Sequence, residues 1–320
     1  MTPPPDPPAT ASAGVERALA ALAELAGTSV PALASGVADD LVVAARAVLE
    51  GGMAACRHYD GELEIEDKGR NDPVTEADHA SNRAILGILG DRRPEDPILS
   101  EESRPPPGHL GAGRLWVVDP LDGTKEFIAH NGEFSIMVGL AVDGDARLGA
   151  VYQPAADLLF AGVAAGGAWI VAKPLQEPGA RPLRLAGSVA LEARLRFVRS
   201  RSHPDERLRR IAAGLGELQE VISGSVGIKC ALVARGAADL YVHPVPFLKE
   251  WDTCAPEAIL RGAGGIVTDC AGGALSYGKS SPEQPGGIFA GTAAAWGHAR
   301  AVVAEVTAPL FEDDADDSET

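Results

Sequence analysis

Between residues 97 and 172 the chain offers six apolar segments in succession: PILS, RLWVVD, EFSIMVGLAV, RLGAVYQP, DLLFAGV and AWIVA, with turn residues between them. Consecutive strands joined by short turns build an antiparallel sheet, and Asp143-Gly144 is a strong hairpin signal. Two helical segments precede the strands. Leu41, Val42, Ala45, Val48, Leu49, Gly52, Met53 and Cys56 recur at three- and four-residue steps, the pattern of an amphipathic helix of about 20 residues. Thr75 is placed as an N-cap with Asp78 in a capping-box position, so a second helix runs to about Leu89. The expected sheet lies under these helices as an α+β unit.

After Pro174–Pro182 the texture changes to alternation. RFVRS, ELQEVIS, DLYVH, GIVTD and GGIFAG read as strands, with DERLRRIAAGL, GIKCALVARGA, DTCAPEAILRGAG and TAAAWGHARAVVAEV as helices, an α/β layout. The chain therefore divides into an N-terminal extension (1–34, disordered or partly helical), an α+β half (35–180), an α/β half (181–311) and an acidic, disordered tail (312–320). The tail holds six acids in nine residues.

Charge narrows the partners. Lys and Arg number 28 against 45 Asp and Glu, a net charge of −17. Such a chain lacks the basic face that duplex nucleic acid requires, and it disfavours anionic membranes. The four cysteines lie far apart with no zinc spacing, which suits reduced thiols in the cytoplasm. No secretory signal and no run of eighteen apolar residues is present.

The chemistry concentrates in LWVVDPLDGTKEF, residues 115–127. An apolar strand ends at Asp119, Pro120 fixes φ and Gly123 permits a turn. Asp119 and Asp122 are thus delivered at the mouth of a sheet, either side of a bend that also offers the Leu121 carbonyl. Two carboxylates and a carbonyl are hard oxygen ligands suited to Mg²⁺, although Asp, Pro and Gly are equally the residues of an ordinary turn. Ile98-Leu99-Ser100-Glu101-Glu102 is a second apolar strand ending in acids, and it also suits a plain surface. Glu250-Trp251-Asp252 precedes a helix, where Asp252 also suits a cap. Three carboxylate clusters at element ends, each beside an apolar anchor, resemble the layout of a two-metal phosphatase.

DPVTEAD, ILSEES, WVVDPLDGTKEF and EWDTCAPEAILRGAGG together resemble the motif set of the inositol monophosphatase superfamily, over residues 37–292. Within it, DGTKEF followed by NGEFSIMVGL, with SRSH, GSVGIK and WDTCAPE, is similar to the CysQ-type 3'(2'),5'-bisphosphate nucleotidases. The resemblance implies an α/β fold, the layered α-β-α-β-α sandwich of the inositol monophosphatase and fructose-1,6-bisphosphatase type. It implies an active site between the halves, the N-terminal half binding metal. It makes Glu101, Asp119, the Leu121 carbonyl, Asp122 and Asp252 ligands of two or three Mg²⁺ ions. Asp78 and Thr124 become the pair that orients and deprotonates the attacking water, with Glu101 also counted as catalytic. Leu121, Asp122, Gly123 and Thr124 line the scissile phosphate. His203, Ser225, Lys229 and Asp252 complete the substrate contacts. Glu102 is a second acid of its motif, Lys68 a basic residue near the metal loop, and His243 stands where relatives often carry a stronger base such as Arg.

The implied reaction is Mg²⁺-dependent removal of the 3'-phosphate of adenosine 3',5'-bisphosphate, giving AMP, with 3'-phosphoadenylyl sulfate as a further substrate and a link to sulfur metabolism. The partner is then a small nucleotide bisphosphate, and the protein a cytoplasmic monomer or homodimer. Two rivals stand beside this reading: an inositol or sugar-bisphosphate phosphatase of the same superfamily, and an inactive sensor of phosphate ligands. GALSYGKS (273–280) matches a P-loop literally, but Pro282, Pro285, Gly286 and Gly287 forbid the helix that must follow. GAGG (262–265) follows a helix rather than a strand and lacks dinucleotide-loop spacing.

Overall fold

The computed structural model describes residues 11–29, 36–61, 65–67, 73–106, 108–177, 179–187, 194–202, 205–245 and 247–308. It opens with α1 (Ala11–Ser29) and α2 (Val37–Cys56), then the small antiparallel pair β1 (Ile65–Asp67) and β2 (Pro73–Thr75), then α3 (Glu76–Arg92). The extension is thus helical over much of its length. Ala18, Leu19, Leu22 and Ala26 of α1 are buried in the same core as α2.

A seven-stranded sheet follows in strict chain order: β3 (Ile98–Ser100), β4 (Arg114–Asp122), β5 (Ser135–Val142), β6 (Asp145–Gln153), β7 (Leu158–Val163), β8 (Gly167–Ala172) and β9 (Leu183–Leu185). A short helix, α4 (Thr124–Ile128), interrupts it after β4. The meander is antiparallel except for β3 and β4, which are parallel. The segment between those two strands is long enough to carry the chain back before β4 begins, as a parallel pair requires. The β5–β6 turn is the expected Asp143-Gly144, with φ of 51° and 81°, the sign that a two-residue hairpin needs at both positions.

The second half contains β10 (Leu195–Ser200), α5 (Glu206–Leu215), β11 (Leu218–Ser223), α6 (Val226–Ala234), β12 (Leu240–His243), β13 (Leu248–Lys249), α7 (Glu250–Gly262), β14 (Ile266–Thr268), β15 (Glu283–Gln284), β16 (Ile288–Gly291) and α8 (Ala293–Thr307). Five strands form a sheet in the order β11-β10-β12-β16-β14, and β13 pairs with β15 apart from it. No described helix is long and apolar enough to cross a membrane.

The layers follow from which faces are apolar. Trp116, Val118, Ile136, Val138 and Tyr152 share a core with α1, α2 and α3, whereas Leu115, Val117, Met137 and Val151 share one with α6 and α7. Both faces of the sheet are covered, which is why its strands read as unbroken apolar runs. Val198, Tyr241 and Ala290 of the second sheet join the α6–α7 core, and Phe197, Leu240 and Phe289 face α5 and α8. The result is an α-β-α-β-α sandwich with α6 and α7 as the shared middle layer.

That middle layer sits unusually close to the first sheet. Gly139, Gly149 and Gly162 lie opposite one another on β5, β6 and β7. A Cβ on Gly149 would lie 2.5 Å from the Ala255 Cα, and one on Gly162 would lie 2.8 Å from the Ile259 Cα. One on Gly139 would lie 2.7 Å from the Cys254 Sγ. The three glycines form a cross-strand track on which α7 rests backbone to backbone. Gly149→Ala should therefore destabilise the protein by about 1–3 kcal/mol through overpacking. Gly90→Ala, in an exposed helical position with nothing within 4 Å of the added methyl, should stabilise it by roughly 0.5–1 kcal/mol. Thermal denaturation of the two variants checks both signs.

Candidate active site

Asp119 and Asp122 owe their shared orientation to one extra residue. Side chains alternate across a strand, so residues three apart on regular β4 would face opposite sides. The pairing with β5 runs regularly to Asp119↔Met137 and resumes at Asp122↔Ser135, three residues against two. This bulge at Pro120-Leu121 reverses the parity and turns both carboxylates to one side. Pro120 has no amide to waste in the broken ladder, and the Leu121 amide donates to the Asp119 Oδ1 at 3.0 Å.

Asp252 arrives from the other direction, in the first turn of α7, where its Oδ2 accepts from the Lys249 amide at 2.6 Å. One carboxylate oxygen from each of Asp119, Asp122 and Asp252 lies within 4.8 Å of the others. Burial raises the Asp119 carboxyl well above the ordinary range, and the charges of Glu101, Asp122 and Asp252 raise it further. Burial likewise raises Asp252, with Asp122 adding repulsion. It raises Asp122 too, against the lowering effect of donors from Ser225 and Gly227. Crowded, hard, anionic oxygens with raised proton affinity are the donor set of a divalent cation, so the residues present fit the metal expected from the sequence. Glu101, at the end of β3, stands close enough for its charge to act on Asp119 and Asp252.

Close to the triad, Asp78 and Thr124 are brought together. Thr75 caps α3, and Asp78 closes the capping box, its Oδ2 accepting from the Thr75 amide at 2.8 Å and the Thr75 hydroxyl at 2.7 Å. The other oxygen, Oδ1, accepts from the Thr124 hydroxyl at 3.0 Å. The Leu121 carbonyl lies 3.2 Å from the same hydroxyl. Burial raises the Asp78 carboxyl, opposed by these donors. Gly123, at φ 94°, makes the turn from β4 into α4. A Cβ there would press on the Glu133 carbonyl at 3.2 Å.

The second half contributes α6. Lys229 is buried at 4 % exposure, with its ammonium 4.9 Å from the centre of the Tyr241 ring. Among the described residues no hydrogen bond or ion pair holds that ammonium. Burial lowers the Lys229 pKa, while Asp122, Glu126 and Asp252 raise it. Ser225 caps α6 and donates to the Asp122 Oδ2 at 2.5 Å. His243 ends β12, its backbone paired with Ile288. His203 and Lys68 lie outside the described residues.

Three features escape sequence reading. Glu133 accepts from the Gly224 amide at 2.7 Å and from Arg201 at 2.6 and 2.7 Å, tying the first half to the loop ahead of α6. Glu126 accepts from the Ser202 hydroxyl in the same seam. Glu250, fully buried, accepts from the amides of Gly278 and Lys279 at 2.7 and 3.1 Å. The P-loop look-alike thus grips a carboxylate of the chain itself, and the short strand β15, not a helix, comes directly after it. Nothing local in the sequence pairs these residues across such separations.

The sequence profile of the inositol monophosphatase family matches residues 38–307. The 3'(2'),5'-bisphosphate nucleotidase CysQ of Escherichia coli K12 is 39% identical over 235 residues, 71% of this chain and 89% of that protein. The Nus factor SuhB of Pasteurella multocida is 32% identical over 237 residues, 73% of this chain and 86% of that protein. The crystal structure of CysQ from Bacteroides thetaiotaomicron superposes with a TM-score of 0.65 at 30% identity, covering 79% of this chain and 97% of that one.

Raised carboxyl pKa values have a definite sign in stability. Their contribution is present below the unfolded value, about 3.9 for Asp, and is lost as pH rises through the higher folded values. Metal-free protein in chelator should therefore lose thermal stability from Asp119, Asp122 and Asp252 as pH rises above about 4. Asp119→Asn should flatten that slope, and a divalent cation added at pH 8 should raise the melting temperature of the native chain more than that of the variant.

Proposed function

This chain belongs to the inositol monophosphatase family, and on that premise we propose that it is a Mg²⁺-dependent phosphatase releasing the 3'-phosphate of adenosine 3',5'-bisphosphate. Phosphatase chemistry is the family's; the nucleotide substrate is the proposed refinement, with 3'-phosphoadenylyl sulfate as a second substrate. The observation that carries it is Lys229, a buried cation with no hydrogen-bonded carboxylate among the described residues, close enough to feel the charges of Asp122 and Asp252. A monophosphate needs one anion site, which the cations held by the acids supply. A bisphosphate needs a second, and an ammonium at the start of α6 suits it. The likeness to CysQ proteins favours the same substrate class.

On this reading Glu101, Asp119, the Leu121 carbonyl, Asp122 and Asp252 hold two or three Mg²⁺. When bound, such ions neutralise phosphoryl charge, make nearby water more acidic and stabilise the departing oxygen. The protein supplies the rest. The Leu121–Thr124 turn receives the scissile phosphate, with the amides of Gly123 and Thr124 as its donors because the Leu121 amide is held by Asp119. Thr124, its one hydroxyl proton given to Asp78, presents lone pairs to the attacking water, and Asp78 takes up the proton that water loses. The first half contributes this machinery, and the second contributes Asp252 and the nucleoside side, including Lys229 and His203.

The deciding experiment measures phosphate release from adenosine 3',5'-bisphosphate, inositol 1-phosphate and fructose 1,6-bisphosphate, with and without Mg²⁺. The nucleotide should be preferred, and only with Mg²⁺; a preference for inositol 1-phosphate would overturn the nucleotide assignment. No turnover of any of the three would favour a sensor. Thr124→Ala should lower kcat by about 10²- to 10⁴-fold with little change in KM. Lys229→Met should raise KM for the bisphosphate roughly 10- to 100-fold, the worth of a hydrogen bond to a charged group. It should leave inositol 1-phosphate hydrolysis, however slow, nearly unchanged.

A further inference from the structure

We infer that Ser225 acts through Asp122 as a positioning residue for the metal site, rather than by touching substrate. The argument is an inventory of one hydroxyl. A serine oxygen has one proton to give and two lone pairs to offer. Ser225 Oγ accepts from the Ile228 amide at 3.1 Å, which caps α6. It lies 2.5 Å from the Asp122 Oδ2, a carboxylate oxygen that only accepts, so its proton goes there. The Ser135 hydroxyl, 2.8 Å away, then donates to the remaining lone pair. All three capacities are spent inside the protein, and the residue is 4 % exposed. No hydrogen bond is left for a phosphate or a base.

The same inventory explains what Asp122 gains. Its Oδ2 receives the Ser225 hydroxyl and, at 2.8 Å, the Gly227 amide, while the Ser135 hydroxyl, its proton given to Ser225, lies 3.4 Å away. One carboxylate oxygen is pinned by the start of α6, and Ser135 of β5 holds Ser225 in turn. The other, Oδ1, has no hydrogen bond among the described residues. The pinning fixes the carboxylate where one of its oxygens lies within 4.8 Å of oxygens of Asp119 and Asp252. The backbone at Ser225 bears the cost: its φ is 35°, a region that favours glycine. A glycine would be at ease there and still serve as an N-cap. A side chain held at a strained position, with its one proton directed at a ligand carboxylate, has the attributes of a residue that orients the ligand.

This inference rests on the metal assignment of the proposed function but not on the identity of the substrate, and its test separates the two. Mg²⁺ is titrated calorimetrically, without substrate, into metal-free full-length protein, into Ser225→Gly and into Ser225→Thr. Metal-free melting temperatures are measured alongside. Ser225→Gly should stay folded because it relieves the backbone, yet bind Mg²⁺ roughly 10- to 100-fold more weakly. Ser225→Thr restores the hydroxyl at the cost of a branched residue at positive φ. It should bind Mg²⁺ more tightly than Ser225→Gly while melting no higher. A merely structural role would rank affinity and stability together.

At saturating Mg²⁺ the substrate KM of Ser225→Gly should stay within about twofold of the native value. Native-like Mg²⁺ binding by Ser225→Gly would overturn the inference, and a raised KM with unchanged Mg²⁺ binding would assign Ser225 to substrate. If Ser225→Gly fails to fold, Ser135→Ala, which leaves the α6 cap in place, takes over; it should weaken Mg²⁺ binding severalfold, and native-like binding would overturn the inference. Absence of Mg²⁺ binding by the native chain would overturn the metal assignment itself and this inference with it. Ser225-dependent Mg²⁺ binding without nucleotide hydrolysis would overturn only the substrate assignment.

Discussion

The contact between α7 and the first sheet governs the rest of the molecule. Helices ordinarily stand off a sheet by the thickness of a side-chain layer, about 10 Å. Here Gly139, Gly149 and Gly162 remove that layer on three adjacent strands, and Cys254, Ala255 and Ile259 of α7 fill the track. The first turn of α7 carries Asp252, so its depth against the sheet sets how near Asp252 comes to the β4 acids. Tyr277 reinforces that seating: its hydroxyl reaches Glu257 at 2.6 Å and Thr253 at 3.2 Å, both on α7. Overpacking anywhere along the track would move a ligand as well as loosen a core.

Bringing three carboxylates together opposes folding unless something compensates. The chain compensates with neutral donors: the Leu121 amide on Asp119, Ser225 and Gly227 on Asp122, and the Lys249 amide on Asp252. Lys229 adds one buried positive charge. The donors leave oxygens facing inward that only a cation or a proton satisfies. That gives the net charge of −17 a different meaning. Six of those charges lie in the tail, and five acids (Asp78, Glu101, Asp119, Asp122 and Asp252) gather at one site, where cations, once bound, would reverse the local sign.

Much of this was legible in the linear sequence because it rests on local chemistry. The helices and strands, the Thr75–Asp78 capping box, the Asp143-Gly144 hairpin and the acids at strand ends depend on neighbours a few residues apart. The P-loop look-alike was dismissed from its own prolines, and the structure adds that its amides serve Glu250. The parallel β3–β4 pair, the small β13–β15 pair and α4 were missed. They depend on partners or turns with no periodic apolar signal. The reach of sheet β9 past residue 180 and the burial of α1 on α2 likewise depend on partners elsewhere in the chain.

By itself the sequence determined which acids, hydroxyls and glycines exist, and on which kind of element each sits, because propensity and patterning act over a single turn or strand. Only the tertiary structure decided how they meet. Asp119 and Asp122 share a face because β4 slips one residue against β5, a relation invisible without the partner strand. Gly139, Gly149 and Gly162 form a track because the register aligns them, though they are unevenly spaced along the chain. Ser225, read from the sequence as a substrate contact, has its hydroxyl spent on Asp122, 103 residues away. Register, approach distance and hydrogen-bond inventory are properties of pairs remote in sequence, so only the folded chain sets them.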